Sequence, residues 1–293
     1  MPATIGEAFN SFKEALGFLL SKPGPILSDF AKVAALGLVV QFALSGLTIV
    51  LASAMGVDLE SVADPPLEFM LIAILIAIPA VITNGAINAT PYYLVQEREG
   101  GKRGDVIKKM LALLLPIGAY MAAFAALMIG LMIGTVALAA LGSTLNLLIG
   151  LAAGMIGIFA MVAAIFGLQF AVPEIVLRGT GAIESMKRSW KLSTSNMVAV
   201  FVFDVMLVLI VMSFYALFAG IASLGASAGD FLGMSYSMLV SLVSGMVMTT
   251  VTVMPYYFLW KKIAVPVAAK SAPQMPEAKP RQVPKRKGRR SKR

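Results

Sequence analysis

The stretch "MLALLLPIGAYMAAFAALMIGLMIGTVALAALGSTLNLLIGLAAGMIGIFAMVAAIFGLQFAVP" (Met110–Pro173) runs for 64 residues without a charged side chain. A helix crossing the hydrocarbon of a bilayer needs about 20 predominantly apolar residues. One span is therefore too short to use this run, and the chain must fold back within it. Its only good turn is "GSTLN" (Gly142–Asn146), which predicts two helices over 110–141 and 146–172. The same reading extends outward to Val33–Val57, Phe69–Gln96, Val205–Gly229 and Phe231–Trp260, each of 25 to 30 charge-free residues. These predict helices over 27–55, 67–95, 197–225 and 233–261. Only 13% of the 293 residues are charged, whereas a soluble domain carries about a quarter. With a mean hydropathy of +0.87, the expectation is an all-α polytopic membrane protein with six transmembrane helices.

Basic residues orient it. All 24 Lys and Arg lie in residues 1–32, 98–109, 178–191 and 261–293. The stretches between are free of them, and the intervening outer side carries Asp58, Glu60, Asp64, Glu68 and Asp230. The positive-inside rule then places both termini in the cytoplasm, with a plasma (inner) membrane location. The six-helix membrane domain covers 1–263, where 14 basic and 14 acidic residues cancel; 264–293 holds ten cations, one acid and five prolines. Such a composition cannot bury a core, so the segment is expected to be a disordered basic tail. Its cations Lys285, Arg286, Lys287, Arg289, Arg290, Lys292 and Arg293 suit anionic lipid headgroups or RNA phosphates, the ribosome included, or serve only to fix topology.

Pro91, Pro173 and Pro255 each stand near the exit of a span, 82 residues apart in both intervals. The segments "IGEAFNSFKEALGFLL" (Ile5–Leu20), "RGDVIKKMLALL" (Arg103–Leu114) and "GAIESMKRSWKL" (Gly181–Leu192) precede the outgoing helices. All three read as short amphipathic helices at the membrane interface. The expected unit is an interfacial helix plus a helical hairpin, repeated three times over about 1–98, 99–179 and 180–262. Each proline should kink a helix end and free a carbonyl. Tyr92, Tyr93, Trp190, Tyr256, Tyr257 and Trp260 are expected to anchor the ends at the interface.

Candidate chemistry is sparse. The chain has no Cys and no His, so disulfides and the commonest general base are excluded, and no nucleotide-binding, zinc-protease or serine-hydrolase motif occurs. No cofactor or metal is expected, and the protein is read as non-enzymatic. Asp204 lies about one third of the way across the fifth span, where a carboxylate is costly and needs a partner or a proton. Asn88, Gln169 and Thr252 each precede one of the three prolines, with Asn84 one turn above Asn88. Either each polar residue mends its own kink, or the group encloses a cytoplasm-facing cavity with Asp204. Gly130-x3-Gly134, Gly150-x3-Gly154, Ala216-x3-Gly220 and Ser241-x3-Gly245 suit close helix packing.

Residues 170–196, "FAVPEIVLRGTGAIESMKRSWKLSTSN", carry Phe170, Pro173, Ile175-Val176, Gly179, Ala182, Ser189-Trp190, Leu192, Thr194 and Asn196. This pattern resembles a loose superfamily of six-helix prokaryotic membrane proteins, which includes the membrane domain attached to some glycerophosphodiester phosphodiesterases. Glu184-Ser185 departs from the Ala-Leu usual there. The resemblance implies the six-helix fold over 1–262 and carries no phosphodiesterase activity, since that catalytic domain is absent. Three functions then stand as expectations. The first is a scaffold, lipid-associating or accessory subunit of a membrane complex. The second is a small-molecule or ion transporter using the cavity around Asp204, and the third a ribosome-linked biogenesis factor acting through the tail.

Overall fold

A computed structural model describes residues 2–57, 67–100, 105–225 and 230–271, except the side chains of 224–225, 230–235, 237–238 and 265–271. Every described element is a helix: α1 (Ile5–Ser21), α2 (Pro23–Ala54), α3 (Leu67–Glu99), α4 (Val106–Leu145), α5 (Leu147–Leu168), α6 (Ala171–Arg178), α7 (Ala182–Ser195), α8 (Met197–Gly225) and α9 (Asp230–Ser271). Six helical segments are long and apolar enough to cross a membrane: α2, α3, α4, α5 continued through α6, α8 and α9. The outer acids Asp58, Glu60 and Asp64, and the tail cations 285–293, lie outside the described residues.

The long apolar run folds back at one residue. Asn146 donates its backbone N–H to the Gly142 carbonyl at 2.9 Å, closing α4, while its Oδ1 accepts from the Leu148 N–H at 2.8 Å, opening α5. An asparagine at this position satisfies orphan groups on both sides of the turn. Glycines then let the two helices touch. A Cβ on Gly150 would overlap Ser143 and the Ala139 carbonyl, and one on Gly157 would overlap Thr135.

Two expectations change. The amphipathic segment 103–114 is not a separate helix. Asp105 caps α4 by accepting from the Lys108 N–H at 3.1 Å, and the helix continues through Pro116 to Leu145. Between Lys109 and Pro116 stand only Met, Leu and Ala, which are strong helix formers, so nothing stops it. α1 and α7 are separate because Pro23 opens α2 and Asn196 closes α7. Pro91 and Pro255 lie inside their helices, as the predicted ranges had them, but further from the ends: α3 runs on to Glu99 and α9 to Ser271. A proline removes one hydrogen bond but holds φ in the helical range, and here buried neighbours hold the segment on both sides of it. Pro173 differs, sitting at the third residue of α6, where a missing N–H costs no intrahelical bond.

The break before α6, at Gln169–Phe170, is mended from another helix. Ser189 of α7 donates to the Gly167 carbonyl at 2.9 Å and accepts from the Phe170 N–H at 3.0 Å. Trp190 lies on Gly167 so closely that any Cβ there would meet its ring. Gly179, with φ of +66°, then caps α6 in the left-handed conformation that glycine adopts without strain.

Packing is uneven along the helices. Buried apolar side chains fall at the start of α2 (Ile26, Phe30, Val33), the end of α3 (Ala86, Ile87, Leu94, Val95), the start of α4 (Met110, Leu113, Ile117) and the start of α8 (Val200, Phe203). The end of α9 (Met254, Tyr257, Leu259) joins them. Consecutive spans run in opposite directions, so these ends share one side of the molecule, the side bearing the basic connections. Toward the other side Val39, Leu47, Ile74, Leu138, Leu151, Leu209 and Leu217 are exposed. Helices apolar all round suit lipid on their free faces.

Candidate functional site

The polar residues that precede the three prolines meet. Asn88 on α3, Gln169 at the α5–α6 break and Thr252 on α9 line one cavity of about 440 Å³, completed by Tyr92, Tyr120 and Thr249 among apolar neighbours. No side chain in its wall is charged. Asn84, one turn from Asn88, is exposed and lies outside this wall.

Asp204 does not line the cavity but joins its wall through a tyrosine. Tyr256 Oη lies 2.7 Å from Asp204 Oδ1 and 2.8 Å from Gln169 Oε1. The Tyr256 ring is held edge-on between Phe203 at 4.9 Å and Phe170 at 5.9 Å. The Gln169 Nε2 is buried without a hydrogen-bond partner among the described residues. The expectation for Asp204 was a proton, water or a hydrogen bond to one of Asn84, Asn88 and Gln169. The actual partner is a phenol that the same reasoning placed at the lipid interface.

Several of the aromatic residues expected as interfacial anchors pack within the protein. Tyr92, Tyr257 and Trp260 are buried in protein. Tyr257 donates to Glu99 Oε2 at 2.6 Å, and Trp260 Nε1–H donates to Glu174 Oε1 at 2.8 Å. Glu174 is fully buried and needs a donor, which an aromatic residue with a polar edge supplies while filling space. Tyr93 is half-buried beneath the Lys109 ammonium, 4.5 Å from its ring centre. Trp190 is exposed on one side and seated on Gly167 on the other.

Two acids unmarked by the sequence hold the packed end together. Glu174, fully buried, also faces Arg178 at 3.5 Å and Arg188 at 4.0 Å, joining α6, α7 and α9. Asp29, 3% exposed, pairs with Arg98 at 2.6 Å and Lys32 at 3.3 Å, joining α2 to α3. Glu174 follows Pro173 where Tyr92 follows Pro91 and Tyr256 follows Pro255, a difference visible in the sequence without its meaning. Nothing near Asp29 announces its partner, which lies 69 residues away.

The small-residue pairs divide. Gly150 and Gly154 meet α4, and Gly245 approaches Ala34 of α2. Gly130, Gly134 and Gly220 meet nothing within 4 Å among the described residues.

Fold and site together define a helical, multi-pass membrane protein with an uncharged polar cavity between its spans. Residues 7–259 match the family described as Domain of unknown function (DUF7847), and the chain belongs to that family. The match takes in the whole cavity wall, Asp204 and Tyr256. No curated protein and no solved structure matches the chain.

Proposed function

We propose that the protein is a non-enzymatic carrier of a small uncharged polar solute, which it binds in the cavity between α3, α4, α5 and α9. The observation that carries this reading is the meeting of Asn88, Gln169 and Thr252 in one uncharged wall. Amides and hydroxyls both donate and accept, so they suit a polyol, a sugar or a small amide, and about 440 Å³ falls within the usual range for ligand pockets. Polar side chains inside a spanning bundle are costly unless a ligand, water or a neighbour uses them. The test is uptake of labelled glycerol, a monosaccharide and a small amide by proteoliposomes. Asn88→Leu with Thr252→Val should reduce uptake of the favoured solute at least about tenfold, since a site built for hydrogen bonds discriminates strongly. Uptake no faster than in empty liposomes for all three would overturn it.

The finer architecture belongs to the same reading. We take the chain as a threefold repeat of about 1–98, 99–179 and 180–262, with both termini on the cytoplasmic side of the plasma (inner) membrane. Convergence on one cavity of three polar residues, each about one turn before its proline, supports the repeat, because repeat interfaces are where such sites form. The basic connections gathered at the packed end support the orientation. The Ser189-Trp190 pair, with its double task at the helix break, supports kinship with the superfamily of the glycerophosphodiester phosphodiesterase membrane domain.

A second reading, an accessory subunit of a membrane complex, is favoured by Gly130 and Gly134, whose side of α4 is open. The exposed Ile5, Phe9, Leu16 and Leu20 of α1 favour lipid association. Gly134→Leu should leave the isolated protein's stability unchanged and weaken any co-purifying assembly. An unchanged assembly would count against this interface.

A further inference from the structure

A count of protons at Tyr256 leads further. Its oxygen lies between Asp204 Oδ1 and Gln169 Oε1, at 2.7 and 2.8 Å. Both flanking atoms are acceptors when the acid is ionised, yet a phenol has one proton to give. One of the two contacts would then set oxygen lone pairs against each other inside the bundle. Two arrangements remove the conflict. In the first, Asp204 holds a proton and donates it to Tyr256 Oη, which donates in turn to Gln169 Oε1. In the second, Asp204 is ionised and accepts from the phenol, and the Gln169 amide is turned about Cγ–Cδ so that Nε2–H donates to Oη. An amide turned about Cγ–Cδ fills the same space, so one packing of Asp204, Tyr256 and Gln169 accommodates both arrangements.

We propose that Asp204 is a proton-binding site whose ionisation turns over the Gln169 amide, so that Tyr256 transmits the charge state of α8 to the wall of the solute cavity. The proton lost from Asp204 passes to solvent water, and no covalent bond other than that O–H changes. Because Gln169 lines the cavity, solute affinity and proton affinity are linked and must shift each other equally. Use of the switch for carriage rests on the solute-carrier reading above; the proton site itself stands on hydrogen-bond geometry.

No other charge is engaged with the acid among the described residues. α8 packs against α9, α1 and α7. On α1, Glu7 accepts from the Thr4 N–H, Glu14 pairs with Lys262, and Lys13 is exposed. On α7, Glu184 pairs with Arg188, and Lys187 and Lys191 are exposed. On α9, Lys261 pairs with Glu99 and the Tyr257 hydroxyl bonds the same carboxylate. Among the described residues no cation pairs with Asp204.

The experiment is infrared difference spectroscopy of the full chain in liposomes without solute. Aspartate carries carboxyl carbon-13 and glutamine carries side-chain nitrogen-15. An ordinary aspartate, titrating at about 3.9, shows no protonated-carboxyl band at about pH 7. We expect such a band, lost in Asp204→Asn, and a glutamine amide shift that titrates with it. Tyr256→Phe should abolish the linked glutamine shift. Should Asp204→Asn fail to fold, labelled wild type and Tyr256→Phe still decide the matter. Absence of an Asp204 carboxyl band from about pH 5 to 9, or a glutamine signal indifferent to its loss, overturns the proposal. A band without solute uptake overturns only the carrier reading, and uptake without a band overturns only this one.

Discussion

Ser189 and Trp190 show how little of a residue's role its own neighbourhood in the sequence reveals. Residues 187–191 look like one turn of an amphipathic surface helix, and Trp190 looks like an interfacial anchor. In the folded chain Ser189 instead replaces two backbone hydrogen bonds missing 19 and 22 residues earlier. Ser189→Ala leaves a buried N–H and a buried carbonyl unpaired, which should cost about 2 kcal/mol, read as a lower unfolding midpoint in detergent or by steric trapping. Ser189→Thr keeps the hydroxyl and should recover part of it, whereas loss of packing alone would not be rescued. At the same scale, Asp204 was legible as a residue needing a partner, since a carboxylate in hydrocarbon always does. Its partner was not, because the aromatic-belt rule assigns Tyr256 to the interface before its hydroxyl is considered. The role of Asn196 escaped because its partner is distant in the chain: its Oδ1 accepts from the Ala3 N–H at 2.7 Å, a contact spanning 193 residues.

Among the elements, the hairpin of α4 and α5 was the most legible, because charge-free length demands a turn and Asn146 alone can cap both helices. Its tightness depends on glycine. Gly157→Ala must displace Thr135, and Gly150→Ala must displace Ser143 and the backbone beside it. Each substitution should lower stability by about 1–3 kcal/mol, the usual cost of overpacking. Gly130→Ala, on the open side of α4, should be neutral or slightly stabilising, since alanine favours helix by about 1 kcal/mol over glycine. Thermal unfolding of the three variants side by side checks the ordering. The predicted spans already ran through their prolines, and the misread element was the amphipathic segment from Asp105, which joins α4 instead of standing apart. Pro91, Pro116 and Pro255 all sit inside continuous helices, because neighbouring helices and buried side chains tolerate what an isolated helix would not. Whether a proline ends a helix is decided by what packs around it, and a single sequence does not carry that information.

At the scale of the whole molecule, six apolar segments were evident from length and charge, whereas the gradient of packing was not. Hydropathy is nearly uniform along each span, so nothing in it distinguishes the clamped half of a helix from the open half. The distinction comes from Asp29, Glu99, Glu174 and their partners, all at one side. Spin-label distance measurements can test it, and the chain's lack of cysteine makes pairwise labelling direct. Labels at Lys32 and Lys187, at the packed side, should give a narrow distribution in bilayers, while labels at Leu47 and Leu217 should give a broad one. Equal widths would contradict a clamped and an open half.

The position of the Asn88–Gln169–Thr252 cavity just inside the clamped side has a mechanical consequence. Each hairpin is a lever whose long arm lies among lipid tails and whose fulcrum is the cluster of ion pairs. Swings of several ångströms at the tips shrink to a fraction of that beside the polar residues, about the scale on which hydrogen bonds are made or lost. A hairpin pivoting at those ion pairs would let bilayer thickness and tension, acting on the long arms, reach the Tyr256 contacts without touching them.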